Sequence, residues 1–375
     1  MATQNVNYQC PACTGPLHYS GTSGRLECDY CGSSFSVQEI QALYSDKEEN
    51  ALAAAEAAMN SEAAAQAAGE DEFAEYYGTE PQYDDDLKVY SCPSCGAELV
   101  FEATTAATSC PYCGNPTVIP GQYNGDFRPD YVIPFKLDKE AAIAALKNFY
   151  KDKKLLPKAF SNDNHIEEIK GVYVPFWLVD GSAVFDMVYE GTKVSTFRNP
   201  REIITLTDYY DVRRTGTLPF KRIPVDASSK MPDAHMDSIE PYDYSALKPF
   251  STAYLPGFMA DKYDLPVDKC MDRVKTRAEN TTVSLVDGDA ASGGYATCVR
   301  RSGNISVRRT GYKQALLPVW LLSTEWKGGK YLFAMNGQTG KLIGDLPVDN
   351  SRYWAMLAKI AVPMAAVLGA LFWFL

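Results

Sequence analysis

Eight of the ten cysteines fall into one spacing used twice. Cys10, Cys13, Cys28 and Cys31 form C-x2-C…C-x2-C with fourteen residues between the pairs, and Cys92, Cys95, Cys110 and Cys113 repeat it with the same gap. Four thiolates on two short turns are the donor set of a tetrahedral zinc ion. A zinc with four thiolate ligands is closed, with no position left for water or substrate, so the chemistry expected is structural. The reading is two structural zinc ions and no catalytic residue.

The turns themselves agree. They read Cys10-Pro-Ala-Cys13-Thr-Gly15, Cys28-Asp-Tyr-Cys31-Gly32, Cys92-Pro-Ser-Cys95-Gly96 and Cys110-Pro-Tyr-Cys113-Gly114. A glycine close behind each pair supplies the positive φ that aims backbone amides at sulfur. Short β-like runs such as Leu99-Val100-Phe101 lie between the pairs, so each unit reads as a zinc ribbon. A pair of redox or disulfide motifs is the competing reading, and equal doubled spacing argues against it. A unit of roughly thirty residues builds too small a core to fold alone, so the metal is expected to supply folding free energy.

The elements that position these knuckles follow from composition. The chain has 375 residues, room for two or three domains, and a net charge of −11. From Gln41 to Lys88 there are thirteen acids against two lysines, so that segment carries the whole surplus. Ala51 to Ala68 is Ala with Glu and Gln, strong in helix propensity but lacking a stripe of large apolar residues. The expected organisation is ribbon 1 at 1–40, an acidic Ala/Glu-rich linker at 41–88, ribbon 2 at 89–125, a body at 126–350 and a tail at 353–375.

Tyr353 to Leu375 is apolar apart from Lys359. Its 23 residues would reach about 34 Å as a helix, against a hydrocarbon core of about 30 Å. With Arg352 and Lys359 on its N-terminal side, the positive-inside tendency places the body in the cytoplasm. No signal peptide is read at the polar start Met1 to Asn7, and reduced cysteines fit the cytosol. The expectation is a single-pass, tail-anchored protein of the cell membrane.

The body is rich in Tyr, Phe, Val and Gly and reads as mostly β. Tyr173-Val-Pro175-Phe-Trp177-Leu178 and Leu316-Leu-Pro318-Val-Trp320-Leu321 share one pattern, and Val132-Ile-Pro134-Phe135 echoes it. This predicts an internal duplication of two α+β halves. Asp180-Gly181, Glu190-Gly191, Gly328-Gly329 and Asn336-Gly337 read as hairpin turns. Helices are expected over Asp138–Lys151 and Pro266–Glu279, the second placing Val267, Cys270 or Met271, Val274 and Ala278 on one face. The fold class is therefore α+β: two four-cysteine zinc ribbons, a mostly β duplicated body and one C-terminal transmembrane helix.

Several chemistries are excluded or disfavoured. No phosphate-binding G-x-x-x-x-G-K-[ST] occurs; Gly337-Gln-Thr-Gly340-Lys341 lacks the first glycine and reads as a turn. His18, His165 and His235 sit in unrelated contexts, and no nucleophile elbow or H-E-x-x-H is present. The chain is not expected to be an enzyme. Ribbon 1 has one Arg against three acids, and ribbon 2 has two Glu and no Lys or Arg. Nucleic-acid affinity rests largely on neutralising phosphates with Lys and Arg, so direct binding is disfavoured. Basic dipeptides occur at Arg213-Arg214, Arg300-Arg301 and Arg308-Arg309, and read as solvated strand residues or, beside an anchor, as groups facing anionic lipid.

The two ribbons, Tyr173–Leu178, Ser238-Ile-Glu-Pro-Tyr-Asp-Tyr244, Pro249-Phe-Ser-Thr-Ala-Tyr-Leu255 and Ala334-Met-Asn-Gly-Gln-Thr-Gly-Lys341 together resemble a family of bacterial double zinc-ribbon membrane proteins, YdjG-like. Its members carry labels such as TFIIB-type zinc ribbon-containing or PriA-like. The helicase label has no support in this chain, which lacks nucleotide-binding motifs. The resemblance implies a scaffold in a membrane complex that recruits a PspA-type envelope-stress protein. The resulting expectation is a membrane scaffold that meets protein partners through its ribbons, with Tyr30 and Tyr112 at their rims. A nucleic-acid-associated replication or transcription accessory protein is the alternative.

Overall fold

The computed structural model describes residues 8–45, 49, 53, 87–91, 98–102, 105–109, 116–118 and 128–374, the last span without 152, 158–159, 161–167 and 201. The N-terminal unit holds β1 (Leu17–Ser20), β2 (Arg25–Cys28) and β3 (Ser34–Phe35) in one antiparallel sheet, followed by helix α1 at 37–45. Ser36 and Glu39 cap that helix reciprocally: Ser36 N–H donates to Glu39 Oε2 at 2.6 Å and Glu39 N–H to Ser36 Oγ at 3.2 Å.

After a hairpin of β4 (Leu87–Ser91) and β5 (Glu98–Glu102), β6 (Thr105–Ser109) and β7 (Pro116–Val118) join the sheet of the body. The body continues as β8 (Tyr131–Val132), α2 (Lys139–Lys151), β9 (Lys170–Asn199), β10 (Glu202–Asp226), α3 (Asp233–Ser238), β11 (Lys248–Pro249), β12 (Met259–Asp261), α4 (Val267–Ala291), β13 (Thr297–Trp326), β14 (Gly329–Asn336) and β15 (Leu342–Gly344). Among the described residues ten strands form its sheet, with β9 central between β13 and β10.

The two Pro-Trp motifs run antiparallel as neighbours. Pro175 pairs with Leu316 and Pro318 with Tyr173, so Val174 and Leu317 meet at the centre of a local twofold arrangement. The surroundings repeat it. Ala227 N–H donates to Pro175 O at 2.9 Å, and Gly337 N–H to Pro318 O at 2.8 Å. The Ala227 carbonyl then accepts from Asp264 and Leu265, as the Gly337 carbonyl does from Lys136 and Leu137. Trp177 Nε1–H donates to Leu265 O at 2.8 Å and Trp320 Nε1–H to Leu137 O at 3.2 Å. Each indole also packs on the aromatic two residues earlier, Tyr263 at 4.8 Å and Phe135 at 5.1 Å between centroids. Helix and hairpin are therefore exchanged: α4 covers the β9–β10 hairpin through Val267, Cys270 and Val274, and α2 covers β13–β14 through Ala142, Leu146 and Tyr150.

Two expected turns are strand instead. Asp180-Gly181 and Glu190-Gly191 lie inside β9. A Cβ at Gly181 would sit 2.5 Å from the Phe220 ring, and one at Gly191 2.6 Å from Tyr295, so each glycine makes room for an aromatic laid across the sheet. The hairpin expected at Gly328-Gly329 turns one residue earlier, at Lys327-Gly328, with φ of 50° and 79° between the paired Trp326 and Gly329.

The expected fold class needs correction in two respects. Among the described residues one four-cysteine cluster is found, and Cys92, Cys95, Cys110 and Cys113 lie outside them. Nor is any helix among those residues long and apolar enough to cross a membrane, which removes the transmembrane tail and the single-pass placement in the cell membrane built on it. The C-terminal helix α5 (Asn350–Phe374) shows why the apolar count overreached. Its first turn is polar and tied to the body: Asp349 Oδ1 accepts from the amides of Ser351 and Arg352, and the Arg352 guanidinium donates to Leu156 O at 2.7 Å. What stands is a mixed sheet-and-helix fold with one cysteine cluster near its N-terminus.

Candidate metal centre

Cys10 and Cys13 sit on the loop before β1, Cys28 ends β2, and Cys31 lies on the turn between β2 and β3. Folding the first loop over the second brings Cys10 Sγ to 3.6 Å from Cys31 Sγ and Cys13 Sγ to 3.5 Å from Cys28 Sγ. All four sulfurs lie within 4.8 Å of one another. A zinc ion with ligands at about 2.3 Å would set tetrahedral edges of about 3.8 Å, so the cluster has the size the metal requires. Four soft donors and no other group fit zinc and leave it closed.

Both loops are knuckles of one design. Thr14 N–H donates to Cys10 O at 2.8 Å and Gly32 N–H to Cys28 O at 2.9 Å; Cys10 N–H donates to Gly15 O and Cys28 N–H to Ser33 O. The residue after each second cysteine is left-handed: Gly32 at φ +70° and Thr14 at φ +61°. The first knuckle thus uses a threonine where a glycine was expected. Gly15 serves otherwise, lying under the Tyr30 ring, which a Cβ would approach to 3.1 Å. Tyr30 bridges the two knuckles while remaining 76% exposed.

Protonation is unequal among the thiols. The hydroxyl and then the amide of Ser33 pull Cys31 down to about 6. For Cys13 the strongest influence, the backbone at Gly15, pulls downward, yet the neighbouring thiols of Cys31, Cys28 and Cys10 together push it up to about 12.

The centre is fixed to the body. Tyr8 and Thr252 share a hydroxyl–hydroxyl hydrogen bond of 2.5 Å, Tyr19 N–H donates to Pro256 O at 2.9 Å, and the Tyr19 and Tyr254 rings meet edge to face at 5.4 Å. Tyr8, Leu17, Tyr19, Leu26 and Ile40 share one apolar core with Phe135, Tyr173 and Trp320. Burial of this shared surface makes the ribbon an integral part of the fold.

The remaining candidates separate. Tyr112 and His165 lie outside the described residues. His18 Nδ1 faces Asp29 at 3.4 Å, outside the cysteine cluster, and His235 Nε2 lies 3.2 Å from Asp345. Cys270 is buried, its thiol directed at Asp226 O (3.7 Å), and Cys298 is half-buried. The basic dipeptides are largely neutralised: Arg213 pairs with Asp186, Arg214 with Asp289, Arg301 with Glu190 and Arg309 with Asp268.

An ionic network went unread in the sequence. Asp226 is fully buried at the end of β10 and accepts from Arg273 at 2.7 Å. Arg273 also meets Asp233 and Asp237, and Arg277 holds Glu240 through both guanidinium nitrogens. Burial pushes the Asp226 carboxyl up to about 6 against the pull of Arg273. The i, i+4 spacing of Arg273 and Arg277 on a helix was the visible signal. Their carboxylate partners were not visible, being on other elements.

Compared with known proteins, the chain is 31% identical to an uncharacterized Bacillus subtilis (strain 168) protein, YdjG, over 321 residues, spanning 72% of this chain and 94% of that one. No protein-family model matches the chain. No solved structure matches it either.

Proposed function

The chain belongs to the YdjG family, and on that footing we propose that it is a non-enzymatic scaffold whose zinc-bound ribbon meets protein partners. The observation carrying this reading is Tyr30, 76% exposed and propped on Gly15 between two knuckles whose four sulfurs leave a metal no open position. A large, rigid aromatic beside a closed metal site suits recognition, because it presents contact area at little entropic cost and offers no chemistry to a substrate. The hydrogen bonds of Tyr8 and Tyr19 hold that aromatic in a fixed direction relative to the body.

Charge supports protein partners over nucleic acid. Ribbon 1 carries one Arg against three acids, and the arginines at 213, 214, 301 and 309 are engaged by carboxylates of the same surface. Phosphate binding would have to break those pairs. An assembly of the envelope-stress type is the setting proposed for this scaffold.

The test is affinity purification of the tagged full-length protein beside its Tyr30→Ala variant, with a salt-titrated DNA shift assay on the same samples. The expected result is a set of co-eluting proteins that the variant loses, with no DNA shift. Tight DNA binding that weakens steeply with salt, or an unchanged set of co-eluting proteins, would contradict the reading.

A further inference from the structure

The β9–β10 hairpin outruns its sheet. β13 accompanies β9 only as far as the Thr297–Thr192 pair, whereas β10 stays paired with β9 out to Glu202–Asn199. Residues 193–199 and 202–208 therefore form a two-stranded arm beyond the third strand. Helix α4 stops at Ala291, and its last buried residues, Val286 and Ala290, cover Met187, Tyr189 and Val212. Past that point Phe197 is 57% exposed, Ile203 62%, Leu206 50% and Tyr209 70%. Two strands alone are marginal in water, and a free edge invites a further strand.

The outer edge of β10 is unpaired among the described residues, since its sole neighbour is β9. Its two halves differ. The inner half is guarded: Pro219, Lys221 and Pro224 flank a register shift between Phe220 and Ile223, with Arg222 left-handed at φ +58°. Proline, a bulge and basic side chains are the ordinary means of refusing another strand. The edge of β13 is guarded likewise, by Arg300, Arg301, Arg308 and Arg309. From Glu202 to Val212, by contrast, there is no Pro, Gly, Lys or Arg.

We infer that the β10 edge from Glu202 to Val212 is a docking site for an extended segment of a partner protein in which apolar residues alternate with Lys or Arg. Charge selects this occupant. The stretch holds Glu202, Asp208 and Asp211 and no basic residue of its own, with Lys193 of β9 facing Asp208, so a second copy laid along the same edge would bring three acids against three acids across the new ladder, with bases only on the strands behind. A basic strand places opposite charges across the new ladder, while backbone bonds supply affinity and alternate side chains the selectivity. The inference is independent of the ribbon: the edge is the same whether or not Tyr30 meets a partner.

The probes are two synthetic ten-residue peptides, one alternating Val/Thr with Lys and one with Glu in place of Lys. Amide exchange across 202–212 in the full-length protein is followed with each. The Lys peptide is expected to slow exchange by about tenfold or more and the Glu peptide to leave it unchanged. Ile204→Lys and Leu206→Lys, each checked for an unchanged circular dichroism spectrum, should weaken Lys-peptide binding several-fold by setting like charges across the ladder. Equal protection by both peptides, or by neither, overturns the inference. Protection that rises with protein concentration alone overturns it too, assigning the edge to a second copy.

Discussion

At the scale of the residue, the left-handed position behind each second cysteine decides how well a knuckle holds. Glycine takes that conformation freely, whereas a β-branched residue is strained there. A Cβ at Gly32 would meet nothing within 4 Å, so Gly32→Ala isolates the backbone cost. It should destabilise the zinc-loaded protein by about 1 kcal/mol, and Thr14→Gly should stabilise it by a similar amount, both read from thermal midpoints. The four cysteines were legible because their spacing is local. Which residue behind the first pair would turn left-handed was not, since Tyr30 claims the space over Gly15 and leaves Thr14 to make the turn. Asp226 carries a second prediction. Its folded pKa of about 6 lies above the unfolded carboxylate value, so the folded state binds the proton more tightly. That advantage is complete below about pH 4 and is lost as pH rises through 6. Asp226→Asn should therefore gain stability relative to the wild type between pH 4 and 7, by about 1–2 kcal/mol, in denaturant titrations at each pH. Asn336, in the matching place at the end of β14, is a fully buried amide with all its hydrogen bonds made, and shows the environment that the substitution would imitate.

At the scale of the element, the repeated Pro-Trp motif was visible in the chain, but the exchange it serves was not. Sequence pattern reports one strand at a time; that Trp177 reaches the entrance of α4 and Trp320 the entrance of α2 depends on pairing between strands distant in the chain. Both indoles make one backbone hydrogen bond and two aromatic contacts, Trp177 with Tyr263 and Tyr312 and Trp320 with Phe135 and Phe258. Trp177→Phe and Trp320→Phe should therefore cost similar amounts, about 1–3 kcal/mol each, as measured by urea unfolding. A large loss at one and none at the other would show the two halves to be energetically unlike. Helix α4 runs twelve residues past the expected Glu279, to Ala291. Its extension is rich in Thr and Ser, which read as poor helix formers; here Thr281, Thr282 and Ser284 each donate back to the carbonyl four residues earlier. Packing of Thr282, Val286 and Ala290 on the long hairpin overrides the propensity.

At the scale of the whole molecule, charge and apolar runs proved weaker guides than spacing. The terminal apolar stretch suggested a membrane span, yet its helix begins in polar contacts with the body, and among the described residues no helix meets the length and apolarity needed to cross. The first ribbon, expected as a unit ahead of an acidic linker, is built into the main core through Tyr8, Leu17 and Tyr19. Metal bound by the cysteines would therefore support the body as well as the ribbon, because losing the knuckles would expose the surface those residues bury. The central claim is that Cys10, Cys13, Cys28 and Cys31 together hold one structural zinc. Its most direct test is the zinc content of the purified full-length protein beside that of the Cys10→Ser/Cys28→Ser variant, by inductively coupled plasma mass spectrometry. The account predicts that the variant contains one zinc per chain fewer and melts at lower temperature; equal zinc content in the two proteins would contradict it.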